Sequence, residues 1–241
     1  MKRLAILAVF ALAGCSSTAG ATTGPQPTAA TRGSAAPSIA TQASAGPAVP
    51  AASPAPVASE APITPTFSTI SLSGSSDKVA KFKKATGTAA IAVVSYRGAD
   101  NFSIQSLDAS GSENDLLVNT IGSYSGTVLF DVGSDSVAFQ VTASGPWKIV
   151  IKPLTAARAW SGIGTVTGKG DDVLLLISPT SGLTPATIKN SGGDNFVVQA
   201  YSDSSSDLLV NEIGAYNGEV PLPDGTLLIS VLSTGAWSIK V

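Results

Sequence analysis

From residue 67 to the C-terminus the chain alternates apolar and polar positions with a period of two. Val137, Phe139 and Val141 alternate with Ala138 and Gln140, and Trp147, Ile149 and Ile151 with Lys148 and Val150. Phe102 and Ile104 alternate with Ser103 and Gln105, and Trp237, Ile239 and Val241 with Ser238 and Lys240. Such alternation marks antiparallel strands with one face in a core and the other in water. Turn signals such as Ser73-Gly74-Ser75, Ser110-Gly111, Gly133-Ser134-Asp135 and Asp224-Gly225 separate the segments at short intervals. In the first half they predict strands near 68–74, 78–84, 89–96, 101–107, 114–120, 126–132, 136–143 and 147–152. No stretch carries apolar residues at helical spacing.

The pattern occurs twice. Asp100-Asn101-Phe102 returns as Asp194-Asn195-Phe196. The segment from Asp115 to Val128 returns from Asp207 to Val220 with ten of fourteen positions identical. Gly145-Pro146-Trp147-Lys148-Ile149 returns as Gly235-Ala236-Trp237-Ser238-Ile239. The copies are offset by 94, then 92, then 90 residues, which places small deletions in the turns after Gln199 and Leu222. Short, evenly spaced strands in two copies predict an all-β fold: two tandem antiparallel β-sandwich, jelly-roll-like modules. The expected modules are residues 67–153 and 154–241, with the boundary near Pro153 to Arg158.

Ahead of the modules the pattern vanishes. Residues 16–66 are Ala, Pro, Ser, Thr and Gly at all but eight of 51 positions. So few apolar side chains cannot offset the entropy of ordering the backbone, so a disordered stalk is expected, with an r.m.s. span of roughly 40 Å. At the start, Lys2 and Arg3 precede an uncharged apolar run from Leu4 to Ala13. The run is too short for a permanent membrane span and has the shape of a secretory signal peptide. It ends in Leu12-Ala13-Gly14-Cys15, which resembles the bacterial lipobox. That resemblance implies cleavage after residue 14 and a lipid on Cys15, which heads a stalk of residues 15–66. The chain is then exported and held on the outer face of the cytoplasmic membrane, or on the outer membrane in a Gram-negative cell.

Composition narrows the chemistry. Cys15 is the sole cysteine and there is no histidine. A Ser-His-Asp triad, a His-based zinc site and, once Cys15 is lipidated, a thiol nucleophile are all excluded. Four glutamates, one of them in the stalk, and turn-bound aspartates leave a carboxylate hydrolase as a remote alternative. A net charge of −2 gives no basic field for nucleic acid. No cofactor is expected. The cluster Lys78, Lys81, Lys83 and Lys84 reads as a solvated strand face, or alternatively as a contact for an anionic wall polymer or phospholipid head groups.

Several residues stand as weak site candidates. Asn119 and Asn211 recur in apolar strands, where an amide serves a ligand or satisfies a turn. Tyr124 and Tyr216 recur, as do Trp147 and Trp237, and repeated aromatics with period-two neighbours belong more often to a core. Aromatics found in one copy alone, Tyr96, Phe130, Trp160 and Tyr201, are better surface candidates, although Trp160 aligns within one residue of Phe67 and plugs the start of the second sandwich on that reading. Asp100 and Asp194 are the weak calcium candidates; an Asx turn opening a strand is the plainer account.

The Gly-x-Trp-x-Ile ending of each copy loosely resembles pre-peptidase C-terminal-type domains. The Leu-Leu-Val-Asn-x-Ile-Gly-x-Tyr-x-Gly stretch resembles uncharacterised actinobacterial surface proteins, a likeness that transfers no catalytic residue. The expected function is a non-catalytic cell-surface lipoprotein whose paired modules bind a polysaccharide or a protein. A structural envelope spacer is the alternative.

Overall fold

The computed structural model describes residues 67–241. The expected signal peptide, lipidated Cys15 and stalk lie outside the described residues.

Eight strands form the first module: β1 (Ile70–Gly74), β2 (Lys78–Lys81), β3 (Ala90–Tyr96), β4 (Asn101–Leu107), β5 (Glu113–Ile121), β6 (Tyr124–Phe130), β7 (Ala138–Thr142) and β8 (Trp147–Pro153). They build two antiparallel four-stranded sheets, ordered β1-β8-β3-β6 and β2-β7-β4-β5. Two such sheets face to face have jelly-roll connectivity. The apolar half of each alternating strand fills the space between them. Ala92, Val94, Tyr96, Ile149 and Ile151 come from one sheet and Phe102, Ile104, Phe139 and Val141 from the other.

A single 3-10 turn, Leu154–Ala156, leads to β9 (Arg158–Trp160). The second module continues with β10 (Thr165–Lys169), β11 (Asp172–Leu176), β12 (Thr184–Asn190), β13 (Asn195–Tyr201), β14 (Ser206–Ile213), β15 (Tyr216–Leu222), β16 (Leu228–Leu232) and β17 (Ala236–Lys240). Its sheets run β10-β17-β12-β15 and β14-β13-β16-β11-β9. Each strand from β10 to β17 takes the place of one from β1 to β8. The added strand is β9, which pairs parallel to β11 and buries Trp160.

One cross-strand pair shows why both copies keep Gly and Trp. Gly74 lies opposite Trp147, and Gly168 opposite Trp237. Each indole lies over its glycine, so that a Cβ there would collide with the ring. Each indole N–H then donates to a backbone carbonyl, of Ser76 at 3.0 Å and of Gly170 at 2.8 Å.

The modules touch through unlike faces. Ile91 of β3 and Leu129 of β6 face out from the first module, directly opposite each other. They pack with Val173, Leu175, Leu228 and Tyr201 on the outer face of the second module's five-stranded sheet. Two hydrogen bonds to Asp171 join the contact: Tyr124 Oη donates to Oδ2 at 2.5 Å, and the Thr127 N–H donates to its carbonyl at 2.9 Å. The positions in the second module that match Ile91 and Leu129 are Pro185 and Pro221, also opposite each other.

Candidate functional site

The segment best matched between the copies covers β5 and β14, and much of it faces water. Both are edge strands, each at one end of its sheet. In a strictly alternating strand Leu116 would share the inward face of Val118. The ladder prevents this. Opposite Ile104 and Gln105 the partner steps from Val118 to Leu116, leaving Leu117 as the extra residue of a β-bulge. Opposite Val198 and Gln199 the partner steps from Val210 to Leu208, leaving Leu209. A bulge bends its strand and re-aims the side chains beyond it. Here it turns Leu116 and Leu208 outward in both copies.

The result is a repeated outward strip. Leu116, Asn119 and Ile121 lie opposite Gln105, Ser103 and Asn101. Leu208, Asn211 and Ile213 lie opposite Gln199, Val197 and Asn195. Ile121 and Ile213 are both 81% exposed, and Leu116 and Leu208 are 51% and 59% exposed. Neither Asn119 nor Asn211 has a side-chain hydrogen bond among the described residues, and both are exposed. Core packing requires none of these side chains, yet all three pairs are identical. Some core pairs differ by comparison: Tyr96 is matched by Asn190, and Phe139 by Ile229.

Near the starts of β5 and β14 lies a cleft of about 380 Å³ between the modules. Asn114 and Asp115 line it from β5, Leu129 to Val132 and Ser134 from the end of β6 and its turn, and Gln199, Tyr201 and Ser206 from the second module. Its floor holds a buried ion pair. Lys84 Nζ lies 2.9 Å from Asp131 Oδ2 and 3.2 Å from Asp135 Oδ1, with the Lys84 and Asp131 side chains withdrawn from water. Asp131 also accepts from the Ser136 N–H, the Ser136 hydroxyl and the Ser134 hydroxyl, at 3.0, 2.6 and 3.2 Å. Its φ of 59° makes it the one non-glycine in the left-handed region among the described residues. Loss of water around Asp115 holds its carboxyl above the ordinary range, and negative Asp131 adds to the effect. Burial raises the Tyr201 phenol, and Asp115 pushes it further.

The structure sorts the other candidates. Tyr124 and Tyr216 are half-buried, their rings about 6 Å from Phe102 and Phe196. Tyr96, expected at the surface, is instead buried: its ring stacks on Phe102 at 4.3 Å, and its hydroxyl meets Ser144 Oγ at 3.2 Å. Phe130 and Trp160 are buried as well. The expectation failed because Tyr96 has Asn190 as its counterpart, so absence from the second copy was mistaken for exposure. Tyr201 is half-buried at the cleft and donates to Gln199 Oε1 at 3.0 Å. Lys84 does not share the solvated face of Lys78, Lys81 and Lys83. Asp100 and Asp194 extend the ladders between β4 and β5 and between β13 and β14, their carbonyls accepting from the Gly122 and Gly214 N–H groups at 3.0 and 2.9 Å. Among the described residues no three His, Cys, Asp or Glu side chains gather around a metal-sized space.

Sequence reasoning missed Leu116, Leu208, Ile121, Ile213 and Asp115 as site residues. The available signal was the run Leu-Leu-Val, because three successive residues of one strand cannot all face a core without a bulge.

The sequence matches no protein-family model and no curated protein. Among solved structures, one titled "cAMP bound PfPKA-R (141-441)" aligns over 70% of this chain and 71% of its own, at 7% identity and a TM-score of 0.18. So slight a likeness carries no argument about ligand or activity.

Proposed function

We propose that the chain is an exported, non-catalytic lipoprotein, anchored through Cys15, that presents two copies of one docking strip to a protein partner. The supporting observation is the pair of strips itself: exposed Leu116, Asn119 and Ile121 repeated as Leu208, Asn211 and Ile213 on free sheet edges. A free edge offers a row of backbone donors and acceptors to an extended segment, and flanking aliphatics give it a grip. Two strips on one chain raise avidity when both reach one target.

A protein fits better than a polysaccharide. Sugar rings are held by stacking on exposed aromatic faces, and no aromatic among the described residues is exposed. A carboxylate hydrolase is not favoured either. Asp115 has a second carboxylate nearby, but Asp131 is withdrawn from water and already held by Lys84 and two serines.

The test places photo-crosslinking residues at 116, 121, 208 and 213 of the full chain in its own cells, with position 167 on the opposite sheet as control. The expected result is one protein adduct shared by both strips and missing at 167. Adducts to glycan, or none, sink the proposal. In parallel, Cys15→Ser is expected to release the chain from the detergent phase.

A further inference from the structure

We infer that the cleft between the modules is a socket for a lysine or arginine side chain of the partner. The assignment rests on the reading of that partner as a protein and adds the charge it must carry.

The walls and the polar groups agree. Leu129, Val132 and the Tyr201 ring supply apolar surface, with Val132 51% exposed. A long cationic side chain needs such surface for its methylene stem and an anion for its head. The polar groups are mostly committed in one direction. The Tyr201 hydroxyl donates to Gln199. Asn114 Nδ2 donates to Ser136 Oγ at 2.9 Å, leaving its own carbonyl oxygen to accept. The Ser134 hydroxyl donates to Asp131. Asp115 is in no ion pair among the described residues. No lysine or arginine lines the cleft, and Lys84 is consumed below by Asp131 and Asp135. An acceptor-rich cavity with one unpaired carboxylate suits an ammonium or guanidinium, and a guanidinium also stacks on a tyrosine ring.

Position supports a protein side chain over a free cation. Asp115 immediately precedes Leu116 of the first strip, and Ser206 stands two residues before Leu208 of the second. A segment lying on either strip therefore passes the mouth of the socket. The second module's counterpart of Asp115 is Asp207, which does not line the cleft. The socket is thus single while the strips are double, and it gives a partner one defined register.

The test titrates the full chain with arginine amide, and with citrulline amide as the isostere with a neutral side chain, both acetylated at the α-amino group, while following the side-chain amide NMR signals of Asn114 and Gln199. Arginine amide is expected to shift both signals saturably. Citrulline amide is expected to bind at least about fivefold more weakly, as loss of a close charge pair requires. Asp115→Asn is expected to abolish the difference between the two compounds while the Asn119 signals stay in place. Equal binding of both compounds, no shift with either, or an undiminished preference in Asp115→Asn overturns the socket. Its failure is separable from that of the docking strips, because no partner is present. Loss of the shared crosslink with the arginine preference intact removes the strips and keeps the socket.

Discussion

The turn that leaves β6 and the turn that leaves β15 hold the same place in two copies of one fold, yet they are built from opposite materials. In the first module Lys84 and Asp131 form a buried ion pair, joined from the surface by Asp135 and tied off by Ser134 and Ser136. In the second, neutral groups take the place of the buried ion pair, while Asp224 Oδ1 accepts from the Gly182 N–H at 2.6 Å as Asp135 does from Gly87. Thr180 and Thr226 hydroxyls both donate to the Pro223 carbonyl, at 2.5 and 2.8 Å, and the Thr226 N–H donates to Thr180 Oγ1 at 2.8 Å. Topology demands that buried backbone groups at this corner find partners. It does not dictate which partners. The charged version stands beside the cleft, where Asp131 adds to the negative potential around Asp115.

The largest effects test what the copies share. Trp147→Ala and Trp237→Ala are each expected to destabilise their own module by about 3–5 kcal/mol, as large core truncations do. Chemical denaturation followed by hydrogen exchange module by module checks this. A loss below about 1 kcal/mol would mean that the repeated indoles are not core elements. Next comes the contrast between the turns. Lys84→Met strands a buried carboxylate and is expected to cost about 3 kcal/mol. Thr180→Val removes neutral hydrogen bonds and is expected to cost about 1 kcal/mol. Equal losses in urea unfolding would erase the distinction.

Smaller effects test the junction. Tyr124→Phe removes the bond to Asp171 and is expected to cost about 1.5 kcal/mol, because the acceptor is charged. Tyr216→Phe, whose hydroxyl makes no such bond among the described residues, is expected to change unfolding by less than about 0.5 kcal/mol. The smallest effect is a slope. Burial first, and Asp131 second, raise the Asp115 carboxyl above its ordinary value of 3.8. The native state therefore holds that proton longer than the unfolded chain does. The contribution is fully present below 3.8 and is lost as pH rises through the raised native value. Asp115→Asn is expected to flatten that part of a stability-against-pH curve; an unchanged slope would remove Asp115 from the account.

Much of this was legible in the chain. Period-two alternation and the doubled segments led to an all-β fold with matched strands, because alternation is a direct consequence of strand geometry. The junction was not legible. Ile91 and Leu129 read as ordinary strand residues, and nothing local says whether an outward aliphatic meets water or a neighbouring module. The fate of Lys84 was hidden for a related reason: its partners Asp131 and Asp135 lie about fifty residues away in the sequence. The strips failed differently. Their leucines stand in plain sight, but alternation alone does not give their direction, since the bulge at Leu117 and Leu209 reverses it there.

The junction joins one face of the first module to a different face of the second, and an arrangement of that kind has no natural end. A third copy could be added by the same operation, and a fourth, giving a fibre. The ends of this pair refuse such growth. Where Ile91 and Leu129 would recur, prolines stand at 185 and 221. Where Leu175 would recur, Lys81 projects into water, beside an exposed Val79 in the place of Val173. Replacing Pro185 and Pro221 with isoleucine and leucine, and Lys81 with leucine, would open both ends. Such a variant is expected to assemble into filaments in concentrated solution.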